Sequence, residues 1–394
     1  MTTFDNAKTM GYAPLVEKIQ AASLCEYGLC PEPLMDRIFR ATAKEGDVYV
    51  YAGLNNADVD CVLLDLLREQ PEKVLSGIEI AGFLAGATAR FLYLPEEEKE
   101  LTEKLRSAAQ AHNVILVNDI INVRDAEKDL ILHIVTAADL ADLVDGSYTE
   151  GVYVKTADKP LAKVPADTPV AELVSLEDAK AVYLGYQFYT PEEAKELTAK
   201  DATTGCICVL TEKNCIVAET AKILGKYRIR SCGRCVFCRE GLIQLEYMQK
   251  EITAARGKTA QLDLTKEIGE PMASQTLCTV GQKSPDIALS AVTKFAGEFE
   301  AHIKKNKCPA GVCGAFVHIY IDPQTCTGCE ECVDVCPADC IEGKAKFIHM
   351  IDEFECTKCG KCIEACEEEA IIMTAGKLPK LPNRLIKVGK FKKH

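Results

Sequence analysis

The chain has 394 residues, 48% hydrophobic and 27% charged, and a formal net charge of −13. That length supports two or three domains with cores of their own. The acidic balance disfavours nucleic acid as a partner, and no apolar run reaches the roughly eighteen residues of a membrane span. The first ten residues, MTTFDNAKTM, lack the apolar core of a secretory leader. Twenty-one cysteines in such a chain point to metal ligands in a reducing, anaerobic cytoplasm rather than to disulfides.

In chain order, Leu15, Ile19 and Ala22 predict an opening helix. A loop with Cys25, Cys30, Pro31 and Pro33 follows, then a second helix over 34–43 and a buried strand over 47–52. The spacing of Val74, Leu75, Ile78 and Ile80, with small residues at Gly82, Ala85 and Gly86, predicts a close-packed helix over 71–89. Strands over 91–94 and 114–117 flank a charged amphipathic helix over 95–113, so the first 120 residues read as an α/β layer. From 128 to 190 short strands (130–135, 151–155, 181–184) lie among Pro-, Asp- and Gly-rich loops, with one helix over 169–173. This reads as a small β-rich or α+β unit. After 206–210 the pattern turns helical, with helices expected over 215–224, 239–252, 262–272 and 285–304.

The chemistry lies in the cysteine spacing. Cys326, Cys329, Cys332 and Cys336 form a C-x2-C-x2-C-x3-C run, repeated as Cys356, Cys359, Cys362 and Cys366. Thiolates are soft ligands for iron, and two-residue spacing lets one loop offer three sulfurs to one cubane, while the fourth serves the other cluster. The expected sets are therefore Cys326, Cys329, Cys332 and Cys366, and Cys356, Cys359, Cys362 and Cys336. Zinc or disulfides are the competing reading, disfavoured by eight cysteines in this doubled order. Cys232, Cys235 and Cys238 form a third C-x2-C-x2-C loop at a helix start, for which Cys278 is the best fourth ligand and structural zinc the alternative.

The doubled run resembles bacterial two-cluster ferredoxins over about 318–373, with Glu367 standing where the first run has Pro337. The stretch Ser231–Gly241, with Leu277-Cys-Thr-Val-Gly-Gln282 and Phe299-Glu-Ala-His-Ile303, resembles the iron–sulfur end of the flavin-bearing NADH dehydrogenase subunit of complex I. It resembles more closely the beta subunits of NAD-linked, often electron-bifurcating, iron hydrogenases and formate dehydrogenases. These also place a two-cluster ferredoxin domain after a Cys-Pro-Ala-Gly-Val-Cys motif, present here from Cys308 to Cys313. The resemblance implies a third [4Fe–4S] cluster on Cys232, Cys235, Cys238 and Cys278. It also implies a zinc at a hinge, held by His302, Cys308 and Cys313 with Cys215 as fourth ligand and Cys206 or Cys208 as alternatives. Such a donor set closes a tetrahedral site with no open position for substrate.

The family binds FMN and NADH through its N-terminal half, and weaker similarity runs through 47–94 of this chain. Its glycine-rich phosphate loop is replaced by Leu24-Cys-Glu-Tyr-Gly-Leu-Cys-Pro-Glu-Pro33, with one glycine, added carboxylates and two prolines that lack N–H groups. The glutamate that precedes the family's Ser-Cys-Gly is Arg230. FMN and NAD are therefore expected to be absent. A catalytic NAD(P)H:acceptor oxidoreductase with a divergent flavin site is the alternative. Cys25, Cys30 and Cys61 are either plain thiols or a further metal site. The seven Lys and Arg from 377 to 394, without an acid, form either a solvated tail or an arm for an acidic subunit.

The expected architecture is thus a degenerate flavoprotein-like α/β domain (1–127), a small β-rich, β-grasp-like domain (128–200), a helical 4Fe–4S domain (201–305), a zinc hinge (306–317), an α+β two-cluster ferredoxin domain (318–376) and a basic tail (377–394). No nucleophile–base pair stands in a recognisable motif. The expected role is an electron-transfer subunit with three [4Fe–4S] clusters. Its expected partners are a thioredoxin-like 2Fe–2S subunit, a flavin-containing or catalytic subunit, and soluble ferredoxin.

Overall fold

The computed structural model describes residues 2–28, 31–126, 128–375 and 378–392. It divides into two compact units, one made of Met1–Thr211, Thr220–Glu246 and Asp263–Lys294, the other of Glu212–Glu219, Tyr247–Leu262 and Phe295–His394.

The first unit is built on a parallel sheet of β1 (Tyr49–Gly53), β2 (Ala89–Leu94), β3 (Ile115–Asn118) and β4 (Leu130–His133), in the order β3-β2-β1-β4. Val50, Ala52, Leu92, Leu94, Leu130 and Leu132 alternate onto one buried face, as the two-residue period of a strand requires. The helices Pro71–Ala85 and Ile134–Asp145 cover the core; they meet so closely at Gly77 that a Cβ there would lie 1.7 Å from the Ala137 carbonyl oxygen. The expected boundary at 127 therefore cuts a single layer, because β4 is hydrogen-bonded to β1. The helix Ile134–Asp145 departs from the expected pattern: its apolar start continues the β4 pattern, and the switch is made by His133, whose side chain accepts from the Val135 N–H as an N-cap.

A hairpin of Val152–Val154 with Ala162–Val164 and an antiparallel sheet in the order Gln187–Tyr189, Ala181–Leu184, Ile207–Leu210 make up the β-rich part. The last strand lies beyond the expected boundary at 200 and pairs back across it. The helices Ile216–Ile229, Val236–Thr253, Ala260–Ser274 and Thr279–Lys294 follow. The helix expected over 285–304 starts earlier and is two helices, Thr279–Lys294 and Ala296–Lys304. Pro285 sits in the second turn of the first, near a helix start, where a missing N–H is better tolerated.

In the second unit, His318–Ile321 pairs antiparallel with Ile371–Thr374, and Ile341–Glu342 with Met350–Ile351. Short helices Glu331–Asp334 and Lys361–Glu364 follow the cysteine loops. The basic tail is in part neither solvated nor a free arm. The Ile348 N–H donates to Ile386 O and the Val388 N–H to Lys346 O, and Ile386 and Phe391 pack on the ferredoxin core. Apolar residues among the lysines account for the difference. Among the described residues no helix is long and apolar enough to cross a membrane.

Candidate metal centres

The ferredoxin module builds two sites from one repeated device. Asp322 and Asp352 each open a turn: their side chains accept from Gln324 N–H and Phe354 N–H, and their carbonyls accept from Cys326 N–H and Cys356 N–H. Each loop then delivers its cysteines into a small cavity. One is lined by Cys326, Cys329, Cys332 and Cys366 together with His349, Glu368 and Ile371. The other is lined by Cys336, Cys356, Cys359 and Cys362 together with Ile319 and a fifth cysteine, Cys340. The fourth cysteine of each run thus lies with the other run's loop, in the crossed arrangement expected from spacing. Cys340 and His349 are the residues that motif spacing misses; aligning the two halves at their thirty-residue offset sets Cys340 against Ala370 and His349 against Ile319, and exposes both. Cys340 Sγ is 3.5 Å from Cys336 Sγ.

In the first unit Cys232, Cys235, Cys238 and Cys278 line one cavity, with Arg230, Asn56 and Gly281. Three of these cysteines sit at the start of Val236–Thr253 and the fourth immediately before Thr279–Lys294. The site is fastened to the sheet layer: Tyr227 Oη donates to Ala57 O at 3.0 Å, and Thr279 Oγ1 donates to Asn55 Oδ1. Arg230 Nη2 donates to Cys61 Sγ at 3.1 Å and pairs with Glu97 at 2.6 Å. Cys25 donates to Ser23 O, and no metal-capable group includes Cys25 or Cys61 among the described residues. Cys30 lies outside the described residues.

Cys215, His302, Cys308 and Cys313 converge in the second unit, all four buried, with their ligand atoms within 4.8 Å of one another. Cys215 Sγ is 3.4 Å from His302 Nε2 and 3.5 Å from Cys313 Sγ. His302 Nδ1 donates to Glu298 O at 2.8 Å, which turns the Nε2 lone pair toward the thiols. That hydrogen bond to a carbonyl is the usual support of a metal-bound imidazole. Neither Cys206 nor Cys208 belongs to the group. Three thiols and an imidazole at these separations fit a closed tetrahedral zinc site.

A further cavity of about 240 Å³ opens at the carboxyl ends of β1 and β4, lined by Glu26, Arg37, Asn55, His133, Cys278 and Gln282 among others. It lies where the strand order reverses, the usual ligand crevice of a parallel sheet. The replaced loop puts Glu26 into it: Oε1 accepts from His133 N–H at 2.7 Å, and Oε2 has no partner. Burial pushes this carboxyl above the usual range, against the opposing pull of Arg37 and His133. A raised folded-state value favours folding fully below the ordinary value of about 4.5 and loses that contribution as pH rises through the raised value. Glu26→Gln is therefore expected to raise the thermal midpoint, by an increment that grows between about pH 5 and pH 8. Calorimetry across that interval measures it.

Residues 218–302 match the NADH-ubiquinone oxidoreductase-F iron-sulfur binding region, and residues 318–367 match the 4Fe-4S dicluster domain. The chain is a homologue of the F-type NADH dehydrogenase subunits. It is 40% identical over 146 residues to the NADP-reducing hydrogenase subunit HndC of Solidesulfovibrio fructosivorans, covering 37% of this chain and 30% of that protein. It is 30% identical over 115 residues to the F-type NADH-quinone oxidoreductase protein 2 of Rhizobium meliloti (strain 1021), covering 29% and 27%. The homology thus spans under a third of these relatives' length. In fold, the chain resembles a chain of the NAD+-reducing [NiFe]-hydrogenase in its H2-reduced state, with a TM-score of 0.64 at 15% identity, over 77% of this chain and 65% of that one. This F-type homologue therefore joins two 4Fe–4S binding regions to a mixed α/β layer.

Proposed function

We propose that this chain is an electron-transfer subunit of a cytoplasmic, anaerobic oxidoreductase complex, with three [4Fe–4S] clusters and one zinc and without FMN or NAD of its own. The observation that carries the reading is the gathering of twelve cysteines into three cavities, each with at least four thiols. The ligand sets are Cys232, Cys235, Cys238 and Cys278; Cys326, Cys329, Cys332 and Cys366; and Cys336, Cys356, Cys359 and Cys362. Bound there, the clusters supply one-electron sites. Cys215, His302, Cys308 and Cys313 hold the zinc, which serves structure alone because no coordination position is left for substrate.

Loss of the flavin is supported by Glu26. A buried carboxyl with an unpartnered oxygen, in a loop whose two prolines cannot donate, is the opposite of the N–H cradle that a phosphate needs. The scaffold serves instead to dock other redox subunits: a thioredoxin-like 2Fe–2S protein, a flavin-containing or catalytic subunit, and soluble ferredoxin. An electron-bifurcating hydrogenase or formate dehydrogenase is a host of the right chemistry.

One observation favours a second reading, a catalytic NAD(P)H-dependent subunit with a divergent flavin site. The cavity at the strand ends remains open and shares Cys278 with the cluster cavity. Anaerobic purification decides between them. The relay reading expects about twelve iron per chain, zinc near one, no releasable flavin and no bleaching by NADH alone. Stoichiometric flavin with bleaching by NADH would overturn it.

The fifth thiol adds a prediction. Cys336→Ala is expected to keep about twelve iron because Cys340 takes the vacant position, whereas the double variant with Cys340→Ala falls to about eight. Iron analysis with EPR of the reduced protein distinguishes the two.

A further inference from the structure

The ferredoxin halves superimpose in sequence at an offset of thirty residues, and the strand register repeats with them. Ile319 faces Met373 across one ladder. The corresponding positions in the other half, His349 and Gly343, flank the ladder in which Glu342 faces Met350. The exchange of Ile319 and Met373 for His349 and Gly343 is coupled. A Cβ on Gly343 would lie 1.9 Å from His349 Cδ2, so the glycine makes the room that the imidazole fills. The ring is 1% exposed and lines the cavity of Cys326, Cys329, Cys332 and Cys366. Its Nδ1 is 3.9 Å from Cys326 Sγ, at the outer range for a bond to sulfur, and Nε2 has no partner. A proton on Nε2 would lack an acceptor, whereas one on Nδ1 can be given to a thiolate, the stronger charge-assisted kind of bond. Ile319, in the other cavity, offers no donor.

We propose that His349 is a positioning residue for redox potential: its N–H, directed at the sulfurs of the Cys326, Cys329, Cys332 and Cys366 site, makes a cluster held there the easier of the two to reduce. Hydrogen bonds to cluster sulfur stabilise the more negative, reduced state, and this is one of the main protein levers on cluster potential. The step is a single electron passing from the cluster of the Ile319 cavity to that of the His349 cavity. The first is oxidised by one electron, the second is reduced by one, and no bond or proton moves. The pair of sites thereby acquires a direction from two substitutions in an otherwise repeated frame. The inference rests on both cavities holding clusters.

The test is an anaerobic redox titration of the full-length protein, followed by EPR, with iron measured on every sample. In His349→Leu, one ferredoxin cluster is expected to become at least tenfold harder to reduce, equivalent to about 59 mV for one electron. His349→Asn, which keeps an N–H, is expected to recover part of the shift. The reciprocal variant, Ile319→His with Met373→Gly, is expected to raise the other cluster, and decides the matter if His349→Leu fails to retain iron. Unchanged midpoints at full iron content in either variant would overturn the role of His349. A wild-type protein with no iron in the ferredoxin module would overturn the cluster reading instead.

Discussion

Cys308→Ser is expected to empty the Cys215, His302, Cys308 and Cys313 site and to unfold much of the second unit around it. The four donors are buried within 4.8 Å of one another and come from three separate stretches of chain. Without a cation they leave thiols and an imidazole crowded in an apolar setting. Hydrogen bonds from Cys215 and Cys313 already push the Cys308 thiol far down, so the group is disposed to release protons to a metal. Structural zinc contributes about 10–16 kcal/mol in small closed sites, well above what a single domain needs to remain folded. The expected outcome is zinc falling from one to near zero per chain, with loss of a cooperative unfolding transition in calorimetry. A strong chelator on the wild type should reproduce it. Cys208→Ser, a cysteine outside the group, should leave zinc at one. Zinc absent from the wild type would remove the assignment.

Cys278→Ala carries the second large effect. Cys278 stands apart from the C-x2-C-x2-C loop in sequence but lines its cavity with Cys232, Cys235 and Cys238. Removing it leaves three sulfurs for a cubane that takes four. Iron is expected to fall by about a third, from about twelve to about eight per chain, with the ferredoxin signals unchanged in EPR. Reduction of the ferredoxin clusters by a flavin-bearing partner should fall at least tenfold in stopped-flow mixing, while dithionite still reduces them directly. Cys25→Ala, whose thiol donates to the nearby Ser23 carbonyl, should change neither quantity. Retention of all the iron in Cys278→Ala would mean another ligand completes the site.

Metal-ligand candidates are the most legible feature of the sequence. Cysteine spacing encodes which sulfurs share a loop, and loops of this kind are stiff enough that the crossed sets of the ferredoxin module and the Cys232 to Cys278 gathering follow from spacing and family likeness together. The unit boundaries are less legible, because parallel pairing is long-range. Nothing local in Leu130–His133 says that it bonds β1 some eighty residues earlier, and the strand-to-helix change at His133 is hidden in one apolar run. The same holds for Ile207–Leu210, whose partner is Ala181–Leu184. Cys340 and His349 escape for another reason: outside a ligand motif each is an ordinary core residue, and only the cavity walls set them beside the ligand cysteines. Family likeness locates the degenerate loop at 24–33, but the burial of Glu26 in it is a product of folding.

The closed site of Cys215 and Cys313 also imposes a timetable. These two thiols touch at 3.5 Å yet lie 98 positions apart. At a synthesis rate of about 5–20 residues per second, Cys215 leaves the ribosome about 5–20 s before Cys313 is made. During that interval no complete set of four donors exists, and Cys215 is open to oxidants and to mismatched metals. Zinc can be locked in only once residue 313 has emerged, when Cys232, Cys235, Cys238 and Cys278 have already been made. The order of manufacture therefore offers the inner iron–sulfur site its metal first, and the supply of zinc during those seconds becomes a determinant of yield when the protein is made in a foreign host.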